Sequence, residues 1–257
     1  MTDAAPRLPL SGLVIAMNEG DRIGRCVASL AKVCAEVIVL DSGSTDDTAS
    51  QAQAAGAIVR QQDWLGFSEQ KNAVIAQANQ PWALLLDADE WLGEGAAEAL
   101  RELLATGAVE RADVWKLARR THFLGTVLDH GGWGREPVER LFRPNLRYLP
   151  AQVHERLDLR GCRVASVRAR IEHDTARSLA EYRAKLARYA GLWAQQKHAE
   201  GRRAGVLAAP LHAAVHWLRN YVLRGGFLDG GTAWTYHACH TRYVHAKYRA
   251  LRALQRQ

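Results

Sequence analysis

The chain has 257 residues, 48% hydrophobic and 24% charged, which suits a soluble globular protein of one large domain or one domain with an appendage. A membrane-spanning helix is excluded as a reading, because the best apolar stretch, Val206 to Leu218, is short and carries Pro210, His212 and His216. The net charge of +7 is uneven: residues 176–257 hold 14 Lys and Arg against 3 Asp and Glu, whereas residues 1–175 hold 20 against 24. An acidic front and a basic tail argue against a uniform nucleic-acid surface and for two jobs on one chain. The four cysteines show no C-x-x-C spacing and no secretory leader is evident, so a reduced, cytoplasmic setting is expected.

After a loose start containing Pro6 and Pro9, Leu10 to Met17 is an apolar strand candidate stopped by Asn18-Glu19-Gly20. Asp21 to Lys32 places Ile23, Val27 and Leu30 at helical spacing. Glu36 to Leu40 is a β-branched strand, and Ser44-Thr45-Asp46-Asp47 supplies N-cap residues for an alanine-rich helix to Ala55. Ala57 to Val59 is a short strand, Phe67 to Ala78 a helix, Ala83 to Leu86 a strand and Ala96 to Leu104 a helix. Strands alternating with helices at this spacing imply a parallel sheet with right-handed crossovers. Residues 113–175 change character, with short strands at Val114 to Leu117, Arg140 to Phe142 and Arg163 to Val167. From Ala176 the chain reads as helix, with Tyr182, Leu186, Tyr189 and Trp193 three and four apart and further helix near 206–223 and 233–254.

The chemistry concentrates where strands stop. The run Leu84-Leu85-Leu86 ends in Asp87-Ala88-Asp89-Glu90, and residues two apart on a strand share a face, so Asp87 and Asp89 are expected to project together. Carboxylates that close repel unless a cation answers them. Oxygen ligands suit Mg2+ or Mn2+, which bridge carboxylates to phosphates; the plainer alternative is a solvated acidic turn. Glu19 and Asp41 also follow strands, and ligands of such sheets bind beyond the strand carboxyl ends.

Ala16-Met17-Asn18-Glu19, Leu40-Asp41-Ser42-Gly43-Ser44-Thr45-Asp46, Gln70-Lys71-Asn72 and Asp87-Ala88-Asp89-Glu90, in this order, resemble the nucleotide-sugar domain of the family 2 glycosyltransferases. The resemblance covers roughly residues 10–175. It implies an α/β GT-A fold: a Rossmann-like, mostly parallel sheet flanked by helices, with a C-terminal helical appendage. With Val153-His154-Glu155 and Gly225-Gly226-Phe227-Leu228-Asp229-Gly230 added, the set is similar to the lipopolysaccharide core β-glucosyltransferase branch. Met17 stands where the wider family often has an aromatic, a departure that bears on nucleotide packing.

The resemblance implies an inverting, metal-dependent transfer of a hexose from a UDP-sugar donor. It places Glu19 and Asp41 against the nucleoside, with Asp41 accepting from the uracil N–H, and counts Asn18, Ser42 and Ala88 among the nucleotide-sugar-binding residues. It sets Lys71 near the diphosphate, Asp87 at the ribose or a bound water, and Asp89 on Mg2+ or Mn2+. The alternatives are a helix cap for Asp41, a solvated loop for Glu19 and an exposed helix lysine for Lys71. Glu90 is open between metal shell, sugar hydroxyl and surface. A base must deprotonate the acceptor hydroxyl; of Asp129, Glu139 and Glu155, the resemblance selects Glu155, with His154 orienting it or touching phosphate, the alternative being a strand-end salt bridge between Glu155 and Arg156. Trp133, between glycines, either stacks on a sugar or anchors a core, and Arg140 either holds acceptor phosphate or lines a solvated strand face.

Residues 1–175 are thus expected to be the catalytic domain, and 176–257 a basic, amphipathic helical region for acceptor or membrane contact. The partners expected are a phosphorylated glycolipid acceptor, such as inner-core heptose, and an anionic inner-membrane surface reached peripherally from the cytoplasm. Nucleic acid is set aside for want of a groove-reading motif. His237, Cys239, His240 and His245 match no closed zinc spacing. The rivals are a polyprenyl-phosphate or exopolysaccharide acceptor, and a nucleotidyltransferase, which would carry a Gly-rich, basic loop where this chain has Asn18-Glu19-Gly20.

Overall fold

The computed structural model of the chain describes residues 7–150 and 155–255. The chain divides into two compact units, one of residues 1–119 and 137–173, the other of 120–136 and 174–257.

In the first unit, β1 (Leu8–Ala16), β2 (Cys34–Asp41), β3 (Ile58–Gln61) and β4 (Trp82–Asp87) form a parallel run in the order β3-β2-β1-β4. The crossovers are α1 (Gly20–Ala31), α2 (Thr48–Ala54) and α3 (Phe67–Ile75). Alternate residues serve opposite faces: Val14, Val39, Leu84 and Leu86 pack with Ile23, Val27 and Leu30, while Leu13, Ile38, Ala83 and Leu85 pack with Val74, Ile75 and Phe142. A parallel sheet covered on both faces is why these strands read as unbroken apolar runs.

The sheet then continues beyond the parallel run. The order proceeds from β4 to β8 (Glu136–Phe142), β6 (Val114–Phe123), β9 (Val164–Asp174) and β5 (Glu90–Leu92), with β4–β8 and β5–β9 antiparallel. β5 immediately follows the acidic triplet and pairs Glu90 with His173. Helix α4 (Ala96–Ala105) covers this part with Leu100 and Leu103 buried.

The second unit contains β7 (Thr126–Leu128), hairpinned to the end of β6, then α5 (Leu179–Ala199), α6 (Ala208–Trp217) and α7 (Gly230–Leu254). A π-helical turn, Leu218–Leu223, extends α6, and a 3-10 turn spans Gly226–Asp229. Its core gathers Phe123, Leu128, Tyr182, Leu186, Tyr236 and Cys239. Asp229 accepts from the backbone N–H of His130 at 2.9 Å and meets its Nδ1 at 2.6 Å, so the Gly225–Gly230 segment fastens the loop after β7. Gly131 (φ +70°) is required there, since a Cβ would stand 2.5 Å from the His237 ring. No helix among the described residues is long and apolar enough to cross a membrane.

Candidate active site

The strand register assembles the site. β1 lies between β2 and β4, pairing Ala16 with Asp41 on one side and Ile15 with Asp87 on the other. The two aspartates therefore end the two strands that flank β1, at one end of the sheet and about 10 Å apart across two strand spacings.

The loops after β1 and β2 are laced together. Asn18, held at φ +56° in the left-handed region that Asn tolerates, donates its backbone N–H to Ser44 Oγ at 2.9 Å and accepts from Thr45 N–H through Oδ1 at 2.9 Å. Glu19 N–H donates to Thr48 Oγ1 at 2.8 Å, and Gly20 N–H to Asp46 at 3.1 Å. Ser44 and Thr45 thus tie this loop, and the N-cap position of α2 falls to Asp47 rather than to them. Asp41 is buried and accepts from both the N–H and the Oγ of Ser44. Lone pairs remain on each carboxylate oxygen for a further donor. Ser42 is buried, its N–H on Ala16 C=O and its Oγ accepting from Gln70 Nε2 at 3.0 Å.

Three consecutive residues of α3 reach three different segments, because helix neighbours point about 100° apart. Gln70 bonds Ser42 and the Gln62 carbonyl. Lys71 Nζ lies 2.7 Å from Glu155 Oε1 and 3.1 Å from Asp87 Oδ1, with the Tyr148 ring centroid at 5.3 Å. Asn72 clamps Tyr148, donating to its C=O at 3.1 Å and accepting from its N–H at 2.8 Å. Lys71 is only 4% exposed, so it is no ordinary surface lysine. Burial is the largest single influence and lowers its pKa, but Asp87, Tyr148 and Glu155 together outweigh it and the net shift is upward. Glu155 sits where the chain returns antiparallel to Tyr148 through the Tyr148–Leu157 bridge. Asn72→Ala should remove both bonds to Tyr148 and cost about 1–3 kcal/mol of stability, read as a urea midpoint shift at unchanged m.

The acidic triplet does not behave as a strand pair. β4 stops at Asp87, and Ala88 and Asp89 form a tight turn before β5. The alternation expected of Asp87 and Asp89 therefore does not run through Asp89, and the two carboxylates occupy separate ionic surroundings. Asp87 takes Lys71 and Arg140, the latter through Nη2 at 2.6 Å. Burial works against its ionised form, yet Arg140 first and Lys71 second hold its pKa far below the usual carboxylate range. Asp89 lies 3.8 Å from Arg22 Nη1 and 3.3 Å from His173 Nε2.

Glu90 is fully buried, receives Arg140 at 2.6 Å and Arg119 at 3.4 Å, and accepts the Asp87 N–H at 3.1 Å. It is an internal counter-charge rather than metal shell, sugar contact or surface. Arg140, expected on the acceptor side, is 6% exposed and committed to Asp87 and Glu90. Glu139 pairs with Lys116 at 3.1 Å. Trp133 and Asp129 belong to the second unit. Trp133 packs edge-on to Tyr236 at 5.3 Å as a core anchor, and Asp129 pairs with Arg120 at 2.5 Å. His154 lies outside the described residues.

Two residues escape a sequence reading. Arg22, buried in the first turn of α1, reaches Asp89 and lies 4.0 Å from Glu19. His173 arrives from the end of β9, set opposite Glu90 by a pairing no local pattern announces. No cluster of three or more metal-ligating side chains exists among the described residues. Asp89 and His173 nevertheless form an adjacent carboxylate–imidazole set, with His173 Nδ1 buried and unbonded. One or two protein donors are what a phosphate-bridging divalent ion needs, the rest coming from diphosphate and water.

Residues 11–159 match the domain described as glycosyl transferase family 2. The lipopolysaccharide core biosynthesis glycosyltransferase LpsC of Rhizobium meliloti (strain 1021) is 32% identical over 253 residues, covering 90% of each chain. Succinoglycan biosynthesis protein ExoU of the same strain is 41% identical over 103 residues, and there the match spans 30% of the relative's length. Among solved structures, glucosyl-3-phosphoglycerate synthase from Mycobacterium tuberculosis, in complex with Mn2+, UDP and glucosyl-3-phosphoglycerate, is 27% identical with a TM-score of 0.35, covering 45% of this chain and 44% of that one. By the extent of the family match and of the LpsC identity, this chain belongs to the family 2 glycosyltransferases, with the GT-A fold and a likeness to the lipopolysaccharide branch.

Proposed function

We propose that the protein transfers a hexose, glucose from UDP-glucose, with inversion onto a saccharide hydroxyl of a lipid-linked acceptor, the inner-core heptose of lipopolysaccharide, at the cytoplasmic face of the inner membrane. The observation that carries this is the sheet edge where Asp41 and Asp87 flank β1 and Lys71 joins Asp87 to Glu155. Support for the acceptor class comes from the likeness, over 90% of each chain, to a lipopolysaccharide core glycosyltransferase.

In this reading the Asn18–Glu19 and Asp41–Ser42 loops, with Ala88, form the nucleoside cradle. Lys71 meets the diphosphate as a point cation while keeping Asp87 in place. Asp89 with His173 would hold Mn2+ or Mg2+, the imidazole tilting the choice towards Mn2+, and the ion would supply charge for the departing diphosphate. Glu155 accepts the proton of the attacking hydroxyl. Glu155→Gln should lower kcat by about a hundredfold or more with donor affinity little changed. Turnover near wild type would assign the base elsewhere. A thermal-shift screen in Mn2+ should show UDP-sugars stabilising the protein more than GDP-, CMP- or ADP-sugars; a preference for another base would remove the role given to Asp41.

A further inference from the structure

Surface helices of water-soluble proteins bury their apolar stripe and expose their polar one. The segment from α6 through its π-helical extension does the reverse. Small or polar residues, Ala209, Ala213 and Asn220, face inwards and are buried. Leu207, Leu211, Val215, Leu218 and Val222, spaced four, four, three and four apart, point outwards and are 44–72% exposed. Leu223, Phe227, Leu228 and Trp234 are each more than half exposed as well, and the Trp234 ring packs on Trp217 and Tyr221 of this segment. An apolar surface this continuous marks a binding face.

Charge identifies the occupant. No acidic residue lies between Glu200 and Asp229, whereas Arg202, Arg203, Arg219 and Arg224 are exposed there. In a symmetric dimer the same patch would meet itself and bring these arginines together with no carboxylate to answer them. An anionic bilayer offers both parts required, hydrocarbon for the leucines and lipid phosphates for the arginines. The helical run of residues 208–223 is roughly 24 Å long, short of the hydrocarbon thickness, and so fits lying in the interface rather than spanning it.

We propose that this face is a membrane-docking surface that inserts its leucine stripe shallowly into an anionic leaflet. It deepens the function proposed above and rests on it only for the acceptor's being lipid-borne. The test is co-sedimentation of the full chain with phosphatidylethanolamine–phosphatidylglycerol vesicles, compared with phosphatidylcholine alone, alongside isothermal titration of UDP in Mn2+. Wild type should partition to the anionic vesicles. Leu211→Gln with Leu218→Gln should weaken partitioning at least about tenfold while UDP binding persists, since both positions are solvent-exposed. Arg202→Gln with Arg203→Gln should weaken it and flatten its salt dependence. Brominated lipid should quench wild-type fluorescence more than that of Trp234→Phe. Equal partitioning of the leucine variant, failure of wild type to bind anionic vesicles, or a wild-type dimer dissolved by the leucine changes would overturn the proposal. Loss of UDP binding with vesicle binding intact would support this surface and count against the proposed function.

Discussion

Asp89→Asn is expected to reduce transfer by about a thousandfold or more, equivalent to about 4 kcal/mol of transition-state stabilisation, with the fold intact. The substitution keeps the size of the side chain and removes its charge. Asp89 lies in a turn, and its neighbours Arg22 and His173 are carried on α1 and β9. What is lost is the anionic member of the carboxylate–imidazole pair. His173→Gln should cost less, about 10–100-fold, because it removes the imidazole and leaves the carboxylate in place. Two measurements separate the metal role from a purely structural one: calorimetric affinity for UDP with and without Mn2+, and the urea midpoint. Mn2+ should strengthen UDP binding in wild type and not in Asp89→Asn. An Asp89→Asn enzyme at wild-type rate, or wild-type turnover undiminished in excess EDTA, would end the metal assignment.

The parallel half of the fold was legible because each strand is a compact apolar run stopped by turn residues and followed by a helical repeat. Leu13, Val39 and Leu85 declare burial on both faces without any knowledge of the partner strand. The motif residues at the ends of β1, β2 and β4 inherit their positions from that topology, which is why Asp41 and Asp87 meet at one edge. What was not legible depends on distant pairing. Glu90–Leu92 is three residues long, and only its union with β9 shows that Glu90 is interior and that His173 belongs beside Asp89. Strand periodicity projects Asp87 and Asp89 to one side only while the backbone stays extended, and it turns at Ala88 and Asp89. In sequence Lys71 reads equally as a site or a surface residue, since one helical turn contains both buried and exposed positions. Arg140 shows a related limit: alternation assigns a face, but not whether carboxylates from another strand wait on it, as Asp87 and Glu90 do.

Arg140→Met carries the largest expected cost in stability. Arg140 Nη2 lies 2.6 Å from both Asp87 Oδ2 and Glu90 Oε1, and Glu90 has no exposure to water. Replacing the guanidinium by a thioether of similar reach leaves a buried carboxylate short of its main partner, a change worth about 3–5 kcal/mol. The lower end applies, because Arg119 remains 3.4 Å from Glu90 and Lys71 remains 3.1 Å from Asp87. Adding Glu90→Gln should recover much of the loss, since an amide bears burial better than an unpaired charge. Acidity gives an independent check. Asp87 is held below its unfolded-state pKa, chiefly by Arg140 against the opposing effect of burial. Its contribution is therefore fully present above about pH 4 and is lost as pH falls towards the folded value. The gap between wild type and Arg140→Met should be widest near neutrality and narrow as both are acidified to about pH 3, measured as urea midpoints. A gap that is flat across this range, or no rescue from Glu90→Gln, would mean that Arg140 contributes by packing its aliphatic stem rather than by answering the two carboxylates.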